Sequence, residues 1–105
     1  MYIFYHNTKQ NIMDYSKITE LDLSNKELTK LPDLSLYTNL KKLNCLNNKL
    51  TNLDNLPLTL TKLNCGYNKI TSLDNLPLTL TYLDCYDNPF TYDFNPTLDN
   101  IRKHK

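Results

Sequence analysis

From Ile18 onward, apolar and polar positions fall into a frame that returns four times: ITELDLSNKEL from Ile18, LKKLNCLNNKL from Leu40, LTKLNCGYNKI from Leu60 and LTYLDCYDNPF from Leu80. The copies start 22, 20 and 20 residues apart, and all read LxxLx(L/C)xxNx(L/I/F), except that Lys26 holds the asparagine's place in the first. In every copy two apolar residues stand two apart: Leu21 and Leu23, Leu43 and Cys45, Leu63 and Cys65, Leu83 and Cys85. On an extended chain that spacing points both to one face. Each copy therefore predicts a short strand with an apolar inner side. A unit this short cannot bury that side alone, and self-similarity at such a period marks a stack of repeats whose strands run parallel about 4.8 Å apart.

The stretch after each strand has its own logic. Asn48, Asn68 and Asn88 stand where the chain has to turn inward, and an amide both donates and accepts. A column of them can satisfy backbone groups that the turn leaves unpaired. Lys26 cannot accept, so either the first turn is more open or covered by the N-terminal segment, or Asn25 does the work after a one-residue shift. The return path is spelled LDNLPLTLT twice, at 53–61 and 73–81. Proline inside this alternating run removes a ladder donor and pushes the preceding residue to extended geometry, which predicts a polyproline-like arc rather than a strand. In the first copy LPDLSLYTNLKKL, from Leu31, predicts a helical or 3-10 turn instead.

This frame resembles that of leucine-rich repeat proteins, over 18–94 of the chain. The units of 20 resemble the proline-containing class known from bacterial effectors, with Asp54 and Asp74 standing at the first of that class's two proline places. The resemblance implies an α/β-type solenoid, mostly β and irregular. It would be a curved right-handed coil with a short-stranded parallel sheet on the concave face and an extended or 3-10 convex side. Residues 1–17, with Tyr2, Ile3, Phe4, Tyr5, Ile12, Met13 and Tyr15, then form an N-terminal cap. Residues 95–105 form a C-terminal cap and basic tail, in which Leu98 and Ile101 either join a short helix or begin an abortive fifth strand.

Composition narrows the chemistry. The chain has 105 residues, 40% of them hydrophobic, a mean hydropathy of −0.54 and a formal net charge of +1. With Lys and Asp interspersed, no basic field draws in nucleic acid or an anionic membrane. A single glycine, Gly66, excludes glycine-rich phosphate loops. No apolar run approaches the roughly 20 residues of a spanning helix, and MYIFYHNTKQN does not read as a secretory signal. The expectation is an intracellular, cytoplasmic protein. Richness in Asn, Lys, Tyr, Ile and Leu fits an AT-rich genome. Small proteins of this kind are similar to ones encoded by giant DNA viruses of amoebae, for which the place would be host cytoplasm or virion.

Cys45, Cys65 and Cys85 repeat with the frame and replace Leu23, so they read as small buried hydrophobes in a structural column, as do Asn48, Asn68 and Asn88 in theirs. Three thiols in a line are not a tetrahedral metal site, and an odd count in a reducing compartment argues against a disulfide. His6 and His104 lie outside the repeats, and no nucleophile has a recognisable setting. No catalytic residue, metal or cofactor is expected. What remains is a surface. Outward strand positions form columns: Glu20, Lys42, Lys62, Tyr82; Asp22, Asn44, Asn64, Asp84; Ser24, Leu46, Gly66, Tyr86; and Asn25, Asn47, Tyr67, Asp87. Taken as free of structural duty, they predict a non-catalytic module that binds a protein partner. Tyr82, Tyr86, Tyr67 and Leu46 are its anchors, Lys42 and Lys62 lie on the flank, and Asn44, Asn64 and Asp84 stand between. The alternative is a homo-oligomer assembled through exposed edges of the terminal repeats.

Overall fold

A computed structural model describes residues 14–104; the expected N-terminal cap lies, but for its last residues, outside the described ones. A 3-10 turn (Tyr15–Lys17) leads into four strands, β1 (Glu20–Asp22), β2 (Lys42–Asn44), β3 (Lys62–Asn64) and β4 (Tyr82–Asp84), and the chain closes with helix α1 (Leu98–Lys103). The strands form one all-parallel sheet in sequence order. Register follows the repeat: Leu21 pairs with Leu43, Leu43 with Leu63, and Leu63 with Leu83. A sequence such as Lys-Leu-Asn has little strand propensity of its own. It is held extended by the ladder on either side and by the one leucine it buries. The molecule is thus a solenoid-like stack in which strand, turn and return arc each sit on their counterparts in the neighbouring repeat.

The core lies between the sheet and the return arcs. Leu21, Leu23, Leu43, Cys45, Leu63, Cys65 and Cys85 enter from the sheet side, and Leu34, Leu53, Leu56 and Leu73 from the arcs, all buried. Leu40, Leu50, Leu60 and Ile70 at the bends have no exposed surface. Each such side chain contributes about 1.5–3 kcal/mol by leaving water.

The asparagine column joins neighbouring repeats, always in one direction. Asn68 Nδ2 donates to the Cys65 carbonyl of its own repeat (3.1 Å) and the Cys45 carbonyl of the repeat before (3.0 Å), while its Oδ1 accepts the Leu50 amide, also of the repeat before (3.0 Å). Asn88 treats Cys85, Cys65 and Ile70 the same way. Asn48 bonds Cys45 and Leu23 and accepts from both Lys26 and Leu28. An asparagine at the ninth place therefore serves the turn of the preceding repeat. This explains Lys26: the described residues contain no earlier repeat for an amide there to reach. The one-residue shift does not occur. Asn25 is exposed, in register with Asn47, and accepts from its Nδ2 at 2.6 Å.

The return arcs differ from a purely extended run. Pro57 and Pro77 accept at their carbonyls from the Leu60 and Leu80 amides (3.2 and 3.1 Å), closing four-residue turns with Leu58 and Leu78 at the corners. The first arc makes the matching turn from Tyr37 to Leu40 (3.4 Å), with a further turn before it from Leu34 to Tyr37 (3.0 Å). Threonine hydroxyls stitch the arcs together: Thr59 donates to Leu40, Thr79 to Leu60, Thr61 to Lys41 and Thr81 to Thr61. The repeated LTLT is thus a hydrogen-bonded ladder, which offsets the loss of the proline amide.

At the C-terminal end, Thr97 caps α1 by accepting from the Asn100 amide, and Ile101 is buried against the last repeat. Leu98 and Ile101 belong to this helix, not to a fifth strand. The basic tail is partly tied down, since Arg102 donates to the Pro77 and Leu80 carbonyls at 2.9 Å each. Stacked rings of Phe90, Tyr92, Phe94 and His104, with centroids 4.3–5.5 Å apart, cover the end.

Candidate functional site on the outward face of the sheet

Strand register dictates what the outward face displays. Glu20, Lys42, Lys62 and Tyr82 are paired across β1 to β4, and all four are exposed. Lys42 lies 3.5 Å from Glu20, an ion pair open to solvent and so of small energetic weight. These residues, with Asp22 and Asn44, line an open depression of about 560 Å³.

The next column carries structural duty that its mixed Asp and Asn composition concealed. Asp22 Oδ1 accepts the Ser24 amide (2.9 Å), Asn44 Oδ1 that of Leu46 (3.0 Å) and Asn64 Oδ1 that of Gly66 (3.1 Å). Each turns the chain out of its strand through a side-chain-to-backbone bond two residues on. The expectation that this column is free of structural duty fails at these three positions. The only trace of this in the sequence is a short Asp or Asn acceptor two residues before the turn, a residue type that also suits an ordinary surface position. Asp84 departs from the pattern: its Oδ1 is buried without a hydrogen-bond partner, and its charge raises the phenol pKa of the adjacent Tyr86.

In the third column Gly66 sits where space is tight. A Cβ there would stand 3.3 Å from both Leu46 Cδ1 and the Tyr86 carbonyl oxygen, while the backbone φ is not positive. Leu46 is half-buried over it. The fourth column holds the left-handed backbone needed to enter each turn, with φ of 56° at Asn25 and Asn47, 53° at Tyr67 and 60° at Asp87. Asn and Asp tolerate that region; tyrosine does so at a cost of about 1–2 kcal/mol.

Tyr67, Tyr82 and Tyr86 are 52%, 54% and 57% exposed, and the Tyr67 and Tyr86 rings meet edge to face with centroids 5.9 Å apart. Asp87, through hydrogen bonding and charge, raises the Tyr67 phenol pKa. It is a neighbour of the patch that column reading had left aside. Lys42 and Lys62 sit toward the middle of the face, Asn44, Asn64 and Asp84 are half-buried beneath it, and the tyrosines gather at its β4 end.

The cysteines face the interior and are all free. Cys45 donates to the Asn64 carbonyl (3.3 Å) and Cys85 to that of Pro96 (3.4 Å). Burial pushes the thiol of Cys45 up to about 12 and that of Cys85 to about 11, and raises Cys65 well above its ordinary value. These are protonated packing groups at neutral pH.

Among the described residues no helix is long and apolar enough to cross a membrane. No protein-family model matches the chain, and no curated protein matches it.

Proposed function

We propose that this chain is a non-catalytic recognition module of the leucine-rich repeat type, binding a protein partner on the outward, concave face of its sheet. The observation that carries the reading is the cluster of three half-exposed tyrosines at the β4 end of that face, one of them on left-handed backbone. Aromatic rings bury large area at small entropic cost and are the usual anchors of interfaces. Tyr82, Tyr86, Tyr67 and Leu46 form the anchor, with Lys42 and Lys62 contributing orientation and encounter rate. The site lies in the host cytoplasm or particle if the chain is viral. Affinity capture from the native cell, comparing the intact chain with Tyr82→Ala/Tyr86→Ala, tests this. The double variant loses the partner; unchanged capture removes the face from consideration.

A second reading, self-assembly through terminal edges, has one observation in its favour. In the first three repeats the amides of Leu23, Cys45 and Cys65, and of Asn25, Asn47 and Tyr67, donate to the following repeat, whereas those of Cys85 and Asp87 have no backbone acceptor among the described residues. One residue opposes it: Lys26 stands where a side-chain amide would be needed to join a preceding repeat. Light scattering at high concentration decides: a monomer excludes this reading.

A further inference from the structure

The charge of the chain is divided unevenly. From Ile70 to Ile101 the sequence has five aspartates, Asp74, Asp84, Asp87, Asp93 and Asp99, and no lysine or arginine, while the rest of the chain holds all twelve cations against six acidic residues. The repeat that carries Tyr82 and Tyr86 is therefore acidic in a protein whose formal net charge is only +1. Two of these carboxylates stand among the tyrosines. Asp84, half-buried, lies between Tyr82 and Tyr86 along the chain, and Asp87, exposed, follows Tyr86. Neither forms an ion pair among the described residues, whereas Lys42 and Lys49 each find a glutamate, Glu20 and Glu27, in the repeat before.

Asp84 has also lost the duty of its column. Asp22, Asn44 and Asn64 each turn a side-chain oxygen to the amide two residues on, but Asp84 Oδ1 is buried and meets no donor. A carboxylate oxygen held out of water without a donor is costly, and its charge is weakly screened. The rings feel both charges: Asp84 raises the phenol pKa of Tyr86, and Asp87 that of Tyr67. Tyr67 and Tyr86 are each more than half exposed and meet edge to face at 86°, which leaves a ring face open beside the carboxylates. An open ring face and an unpaired carboxylate attract the same thing, a cation.

We propose that the β4 end of the outward face seats one arginine side chain of the protein partner, its guanidinium lying against Tyr67 and Tyr86 and paired with Asp87, within the field of Asp84. The proposal rests on the reading of this face as the binding surface. A guanidinium is flat enough to stack on a ring while its fork of donors meets a carboxylate; the compact, strongly hydrated ammonium of lysine does only the second. A metal ion is a poorer fit, since among the described residues no three His, Cys, Asp or Glu side chains come together to hold one. Lys42 and Lys62, toward the middle of the face, repel a continuous basic run, so the arginine belongs to a segment of mixed charge. A second copy does not supply it: the chain's single arginine, Arg102, already donates to the Pro77 and Leu80 carbonyls.

The test is an NMR titration of the full, isotope-labelled chain with the blocked tripeptide acetyl-Gly-Arg-Gly-amide, beside the same peptide carrying citrulline, which keeps the shape and loses the charge. The arginine peptide shifts the signals of Tyr67, Tyr86 and Asp87 saturably, with a Kd on the order of 1–10 mM, as suits one exposed side chain. The citrulline peptide does not. Asp87→Asn weakens binding at least about threefold and Asp84→Asn about two- to fivefold, while Asp54→Asn, in a return arc, leaves it unchanged. The fold is kept in both site variants, because asparagine already stands on left-handed backbone at Asn25 and Asn47 and fills the Asp84 column at Asn44 and Asn64. No saturable shift, an equal response to citrulline, shifts centred away from the tyrosines, or indifference to both aspartate changes overturns the proposal. Capture from the native cell separates it from the wider reading: if Tyr82→Ala/Tyr86→Ala loses the partner and Asp84→Asn/Asp87→Asn keeps it, the tyrosine face stands and the arginine seat falls.

Discussion

Replacing Asn68 by alanine tests the direction in which the repeats are joined. The side chain is buried and makes contacts in two repeats, but they are not of equal consequence. Without it the Cys45 carbonyl keeps Asn48, the Cys65 carbonyl keeps Asn88 and the Gly66 carbonyl keeps the Asn47 amide, whereas the Leu50 amide loses its only partner. One orphaned buried N–H costs about 1–3 kcal/mol, and the vacated amide volume adds about 1 kcal/mol. The expected loss is therefore about 2–4 kcal/mol, a large share of the stability of a domain this size, with a fall in Tm of roughly 10–20 °C. Urea unfolding followed by circular dichroism measures it. Two companions sharpen the result. Asn47→Ala, exposed and making one side-chain bond to Asn25, costs about 1–2 kcal/mol, most of it from placing alanine on left-handed backbone. Lys26→Asn completes the frame of the first repeat yet changes stability by less than about 0.5 kcal/mol, because the described residues hold no preceding turn for it to serve. A cost for Asn68→Ala below about 1 kcal/mol, or a gain above that from Lys26→Asn, refutes the reasoning.

Tyr67→Asn relieves left-handed backbone worth about 1 kcal/mol at the loss of an exposed edge-to-face ring pair worth about 0.5 kcal/mol. Stability measured by thermal melting rises slightly while partner capture falls; a loss on both counts makes Tyr67 a structural residue. Arg102→Ala removes the two carbonyl contacts that hold α1 to the last repeat, costing about 1–2 kcal/mol, and hydrogen exchange shows α1 opening while β1 to β3 stay protected. The buried thiols make stability fall in alkali. Their folded pKa values lie above the ordinary 9.0, so the folded chain binds more protons than the unfolded one between that pH and the value of about 12 at Cys45. Stability is intact below pH 9.0 and declines through this window. Denaturant midpoints that stay level there, relative to a triple Cys→Ala variant, contradict the burial of the thiols.

Much of the fold is legible in the sequence because one physical requirement is repeated. Leucine or cysteine two apart, then asparagine three further on, describes a strand that buries one face and a turn that needs an amide. Cys45, Cys65 and Asn68 lie where that reading puts them. The direction of the amide's reach is not legible, since Asn68 satisfies Cys45 and Leu50, residues 23 and 18 positions away, and only stacking brings them together. Leu58 and Leu78 misled for a different reason: LPLTLT alternates as a half-buried strand does, but a turn at the proline rotates the leucine outward. Arg102 reads as part of a solvated tail until α1 carries it back to Pro77 and Leu80. On the candidate site, the tyrosines could be assigned to the outward face from their columns, while the turn-forming role of Asn44 and Asn64 was hidden by the resemblance of Asp and Asn to ordinary surface residues.

The claim beneath all of this is that successive repeats lie on one another in register, with each turn closed from the repeat that follows. Residue-resolved amide hydrogen exchange addresses it directly. Strong protection is expected at Cys45, Cys65, Asn47 and Tyr67 from the ladder and at Leu50 and Ile70 from asparagine side chains, with rapid exchange at Cys85 and Asp87, whose amides meet no following strand among the described residues. Unprotected Leu50 and Ile70, or Cys85 and Asp87 as slow as their counterparts, contradicts the account.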